Sequence, residues 1–162
     1  MKRVLLIACM IIGFATTASA QFEKGKFIFN PSVTGLSFSY DLNDNVNLGI
    51  GSHVGVFIAD NIAALGVVNA QWNKAADNYG IGVGMRYYFD QSGIYLGGTA
   101  DVEGYKYKGY DFNADFGLGI EAGYAFFIAR NVTIEPAVFY KWRFRDNNNS
   151  KVGARIGFGL FF

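Results

Sequence analysis

The sequence predicts an all-β chain: a closed, eight-stranded antiparallel transmembrane β-barrel wound up and down as a meander. Three observations predict it. The closing residues alternate apolar with polar or glycine up to a terminal Phe162. The same alternation returns in segment after segment upstream. The residues opposite the apolar set are mostly glycine, a poor coat against water but a good lining for a narrow barrel. A side-chain period of two places such alternating sets on opposite faces of one strand.

In chain order, Met1–Ala20 reads as a cleaved secretory leader, with Lys2 and Arg3 before an apolar run from Val4 to Phe14 and a small-residue site at Ala18-Ser19-Ala20. That run is too short to span a bilayer as a helix, which takes about 20 apolar residues. Leu6-Ile7-Ala8-Cys9 resembles a lipoprotein box, but cleavage there would leave no room for an apolar core. The expected mature domain is 21–162, without cysteine, since Cys9 is the sole one.

The first strand, Lys26 to Tyr40, changes phase near Thr34-Gly35, where a β-bulge at Gly35 is expected. In the next, Val46, Leu48, Ile50, Val54, Val56 and Ile58 oppose Asn47, Gly49, Gly51, His53 and Gly55. Ile62 to Trp72 is less regular: Asn69 and Gln71 share their parity with Leu65 and Val67. Further on, Tyr79 to Phe89, Ile94 to Glu103, Phe112 to Ile128, Val132 to Phe144 and Val152 to Phe162 each keep one apolar and one glycine-rich or polar face.

About eight strands result, an even number as in bacterial outer-membrane barrels. Tight turns are expected at Ala59-Asn61, Asp90-Gly93 and Ala129-Asn131; the connections at Asp41-Asn45, Asn73-Asn78, Lys106-Gly109 and Arg145-Ser150 are longer and more polar. Short turns belong on the periplasmic side, so both termini are expected there. Two aromatic girdles follow: Tyr40, Trp72, Tyr79, Tyr140 and Trp142 toward the longer loops, and Tyr87, Phe89, Tyr124, Phe126 and Phe162 toward the tight turns.

Composition agrees. Glycine numbers 21, aromatic residues make up 17% and proline only 2. Without Lys2 and Arg3 the chain carries 12 basic and 13 acidic residues, a net charge of −1, which argues against a nucleic-acid partner. A soluble sandwich or lipocalin-like barrel also alternates, but its polar face meets water and is not built of glycine.

On this pattern the chain resembles the small outer-membrane β-barrels of the OmpA/OmpX-like group over essentially all of its mature length. The most specific part is Arg155-Ile156-Gly157-Phe158-Gly159-Leu160-Phe161-Phe162, which looks like the terminal assembly signal of such proteins, with Arg155, Gly157, Leu160 and Phe162 at the defining positions. The resemblance implies recognition by the barrel-assembly machinery of a Gram-negative bacterium. Gln21 after the Ala-x-Ala site, with Phe-Asn-Pro-Ser and Gly-Leu-Ser-Phe-Ser-Tyr in the first strand, looks most like the Bacteroidota members.

The inward parity holds the candidate site: His53, Arg86, Asp101, Glu103, Asp115, Glu121, Glu135, Lys141, Arg143 and Arg155. Buried charges must pair, and an eight-stranded interior is just wide enough for side chains to fill. A charge-paired plug is therefore expected, with Asp101, Glu121 and Arg155 at similar heights. The alternative is a narrow water or ion path gated by the same pairs. Enzymatic modification of lipid A, known among eight-stranded barrels, would use His, Asp and Ser near the outer rim; His53 falls inside the second strand, and no nucleophile elbow or metal spacing occurs. No cofactor or metal is implied. The short outer loops argue against an adhesin. Tyr105, Lys106, Tyr107, Lys108 and Tyr110 could meet lipopolysaccharide phosphates, though snorkelling lysines in a girdle explain them as well. The expectation is a monomeric structural protein of the outer membrane whose partners are its lipids.

Overall fold

The computed structural model describes residues 22–34, 48–72, 76–90, 92–107, 113–144 and 150–162. Among them are nine strands: β1 (Phe27–Thr34), β2 (Leu48–Ala59), β3 (Ile62–Trp72), β4 (Ala76–Tyr88), β5 (Ile94–Tyr107), β6 (Asn113–Tyr124), β7 (Phe126–Ala129), β8 (Val132–Arg143) and β9 (Lys151–Phe161). The expected leader, the bulge at Gly35, and Tyr40 and Tyr110 lie outside the described residues.

β1 to β6 pair antiparallel in chain order, β8 pairs with β6, β7 and β9, and β1 pairs with β9, so the sheet closes on itself. At the seam Phe27 and Phe162 exchange two backbone hydrogen bonds of 3.0 Å. β6 and β7 are one stave, because both pair with β8 in unchanged register, Gly123 with Ala137 and Phe126 with Ile134. The fold is thus a closed, eight-stranded antiparallel meander. The break between them falls at Ala125, whose N–H donates instead to Gly93 O at 2.8 Å in the β4–β5 turn. Gly93 has a φ of +74°, and a Cβ there would lie 2.8 Å from Ala125 O, so the turn needs glycine twice over. The single expected strand Phe112–Ile128 is interrupted for this reason.

Two loop boundaries also shift. Ala76–Asn78, expected in a loop, extend β4 and pair with Tyr105–Tyr107 of β5, which lengthens that hairpin by several rungs. The tight turns fall where expected, and Asn61 adopts a φ of 65° in the β2–β3 turn, a conformation that asparagine tolerates better than most residues.

The alternation decides which way each side chain points. Ile81, Val83 and Ile120 project outward with about two-thirds of their surface exposed. Phe116, Leu118, Val138, Val152, Ile156 and Phe158 continue this apolar exterior around the barrel. Strands of 11 to 14 residues in β2–β5 exceed the roughly 9–11 that a tilted strand needs to cross a bilayer. Of the expected girdles, Tyr79, Tyr140, Trp142, Tyr87, Phe89 and Phe162 are exposed, while Tyr124 and Phe126 lie half-buried against each other with ring centroids 4.2 Å apart.

Candidate functional site

The inward parity fills the barrel with three kinds of material. At the tight-turn end lies an aromatic floor. Above it is one ion-paired layer around Arg86, and toward the longer connections a second around Arg143.

The floor is built from Phe57 of β2, Tyr88 of β4, Tyr95 of β5, Phe127 of β7 and Phe161 of β9, with Phe22 from the segment preceding β1. Phe22 stacks on Tyr88 at 4.2 Å and touches the rings of Phe57, Phe127 and Phe161 at 5.7–5.9 Å. Ile28, Ala63 and Leu65 complete it. The inward Leu65 that blurred the parity of β3 is thus an ordinary floor residue.

The lower charged layer centres on Arg86, which is fully buried. Its guanidinium reaches Glu121 Oε1 at 2.9 Å and Glu135 Oε2 at 3.0 Å, donates to Tyr88 Oη at 2.9 Å, and lies over the Tyr95 ring at 4.2 Å. Glu135 in turn accepts from Asn30 at 2.7 Å and from Thr133 at 2.8 Å. Glu121 is also paired with Arg155, and the same guanidinium lies 3.1 Å from the His53 ring nitrogens. Two arginines balance two glutamates, as a region shielded from water demands.

The upper layer holds Lys141 and Arg143 against Asp101 and Glu103. Lys141 Nζ lies 3.3 Å from Asp101 and 3.1 Å from Glu103. Arg143 pairs with the same two carboxylates, at 3.1 Å from Asp101. Asp115 is buried on β6 directly opposite Glu103 of β5. The structure therefore separates Asp101 from Glu121 and Arg155, which the sequence suggested lie at one height. Asp101 is level with Gly117, two inward rungs from Glu121 along β6, and Glu121 faces Gly97.

His53 and the charged residues expected to point inward are all buried or, for Lys141, half-buried. Sequence reasoning missed the uncharged partners Asn30, Thr133, Tyr88 and Tyr95. Their parity was the available signal: each is a polar or aromatic residue on the glycine face. It missed Phe22 altogether, which precedes any alternation. Between the layers, on the β1–β3 side, lies a cavity of about 60 Å³ lined by Ser32, His53, Asn69, Thr99, Glu121 and Arg155 among others. The buried Asn69 amide has no protein partner there. With polar groups on part of its wall and Val67, Val68, Ile120 and Phe139 on the rest, a space of this size holds a few waters. Among the described residues no group of three or more His, Cys, Asp or Glu side chains is placed to hold a metal ion.

A closed eight-stave meander with an apolar exterior and an ion-paired interior is the fold of the small outer-membrane β-barrels. No family model and no curated relative matches the chain. Among solved structures it is similar to the N-terminal β-barrel domain of Pseudomonas aeruginosa OprF, with a TM-score of 0.68, 12% identity and coverage of 86% of this chain and 98% of that one. It is similar also to Neisserial surface protein A, at 0.61 and 19% identity over 85% and 96% of the two chains. The Yersinia pestis outer membrane protein Ail matches at 0.59 and 12% over 86% and 100%. The likeness to Bacteroidota members draws no support from these matches.

Proposed function

We propose that the chain is an integral outer-membrane protein of a Gram-negative bacterium, with a plugged interior and a structural role in the envelope. The carrying observation is the pairing of Arg86, Glu121, Glu135 and Arg155 across the middle of the barrel. Filling side chains bridge opposite walls there, over an aromatic floor. The apolar exterior suits lipid contact, and the solved barrels it resembles are outer-membrane proteins. On this reading the chain is exported by its leader, is recognised through its last residues by the assembly machinery, rests as a monomer among lipids and lipopolysaccharide with both termini in the periplasm, and performs no catalysis. Among the described residues no rim constellation of His, Asp and Ser favours a lipid A-modifying enzyme.

The cavity favours one second reading, a narrow passive channel. Conductance of the purified protein in planar bilayers separates the two. The plug predicts a baseline indistinguishable from protein-free membrane. Stable single-channel steps that disappear in Glu121→Gln or Arg155→Ala would establish the channel instead. Recovery of the protein in the soluble fraction after detergent-free lysis would overturn both.

A further inference from the structure

Phe22 differs from every other ring of the floor in not belonging to the barrel wall. It arrives on a short segment that doubles back beneath the β2–β3 turn. The Lys26 N–H donates to Glu23 O at 3.3 Å, closing a tight turn, and Gly25 takes a φ of +91° with nothing near the position of a Cβ. That glycine is required by conformation and not by space. Four further bonds fix the segment: Asn61 N–H to Phe22 O at 2.7 Å, Gly25 N–H to Phe57 O at 2.8 Å, Phe57 N–H to Lys26 O at 2.9 Å, and Lys24 N–H to Asp60 Oδ1 at 2.9 Å. Glu23, Lys24 and Gly25 are exposed and Lys26 is half-buried, so Phe22, 2% exposed, is the one fully buried side chain of the segment. A terminal segment outside the strands, with one fully buried side chain and three exposed residues, belongs to the part of a fold that opens locally first.

The wall does not depend on it. Phe57 meets Tyr88 at 5.6 Å, and Tyr88 meets Tyr95 at 5.4 Å, without Phe22 between them. We propose that residues 22–26 form a releasable latch over the tight-turn mouth, with Gly25 as pivot and Phe22 as stopper. Seated, Phe22 occupies the centre of the ring cluster and keeps water from Tyr88 and the Arg86–Glu135 pair above. Released, it leaves rings without a central neighbour and admits water and small solutes from that end. The inference rests on the plugged-interior reading and gives the plug a movable part.

Cys9 is the sole cysteine, so Cys9→Ser gives a full chain in which an introduced thiol is unique whether or not the leader remains. Ala125→Cys places a conservative probe in the floor, and Thr99→Cys one in the cavity above it. The rate of modification of each by a small anionic methanethiosulfonate is read on the folded, heat-modifiable protein. The Ala125→Cys thiol should react slowly. Adding Phe22→Asp should speed it by about two orders of magnitude, the shift expected when a buried ring is lost from one of two states. Gly25→Ala, which strains the pivot and leaves the rings untouched, should speed it less. Phe22→Leu should stay near the parent, and the Thr99→Cys rate should follow none of these changes. Equal rates at Ala125→Cys with and without Phe22→Asp would overturn the latch, as would equal acceleration at both probe positions. So would failure of both Phe22→Asp and Gly25→Ala to form a barrel, since a latch is dispensable for the fold. Bilayer conductance tests the plug independently of all these rates.

Discussion

Glu121 of β6 lies directly opposite Gly97 of β5, and the side chain that Gly97 lacks is the space Glu121 occupies. A Cβ at Gly97 would stand 2.7 Å from Glu121 Cγ and 2.8 Å from its Oε1, the oxygen that holds Arg86. The same complementarity recurs at Gly117, where a Cβ would meet Arg143 Nη1 at 2.5 Å. The glycine face is therefore the counter-shape of the charged filling, which explains why glycine and charge share one parity.

Gly97→Ala should accordingly destabilise the barrel by about 1–3 kcal/mol, the usual cost of forcing an extra methyl into a packed interior. Gly98→Ala is the matched control. Gly98 points outward, and its Cβ would meet only Gly119 O at 4.0 Å. Denaturant unfolding of the refolded variants should show a lowered midpoint for the first and none for the second. Equal midpoints would refute the seating of Glu121 against Gly97.

Arg86 is the one cation the described contacts give Glu135, which otherwise accepts from the neutral Asn30 and Thr133. Arg86→Met should cost about 3–5 kcal/mol, because it leaves a buried carboxylate uncompensated. Glu135→Gln should be costly too, for the complementary reason. The double variant should lose less than the sum of the two, with a coupling of roughly 0.5–3 kcal/mol. Strict additivity in a denaturant cycle would mean that the pair does not act as one unit.

How much of this was legible before the structure follows from parity. A period of two needs no knowledge of partners, so His53, Arg86, Glu121 and Arg155 could be assigned to the interior from sequence alone. Parity says nothing of height, which depends on how far neighbouring strands slide past one another, and Asp101 was placed with Glu121 for that reason. Nor does it reach beyond the strands. Phe22 stands before the first of them, and only the fold brings it under Tyr88. The rest of the floor left a usable trace: Phe57, Tyr88, Tyr95 and Phe161 are aromatic residues on the glycine parity, each near a tight turn or the terminus.

Lys141 and Arg143 contact the same two carboxylates but differ in surroundings. The Lys141 side chain keeps 18% of its surface exposed, whereas that of Arg143 keeps none. The Lys141 charge is thus already partly solvated, and that of Arg143 is not. Lys141→Met should thus cost less than Arg143→Met, which should cost about 3–5 kcal/mol, the range of a broken buried pair. Raising the salt concentration should narrow the Lys141 effect and leave the Arg143 effect unchanged. The reverse order of stabilities would refute the assignment of Arg143 as the central cation of the upper layer.

Phe162 allows the address carried by the C-terminus to be separated from its part in closing the barrel. Its ring is 69% exposed, so it packs little, while its backbone exchanges two hydrogen bonds with Phe27 at the seam. Deleting the residue removes ring and seam together; Phe162→Ala removes only the ring. Refolded from denaturant into detergent, Phe162→Ala should therefore reach the heat-modifiable state almost as completely as the parent, and the deletion variant less so. In cells both should accumulate outside the membrane fraction, if the exposed ring is read by the assembly machinery as the terminal segment's resemblance implies. Normal membrane assembly of Phe162→Ala would mean that the ring carries no address. A refolding defect equal to that of the deletion would mean that the ring itself stabilises the seam.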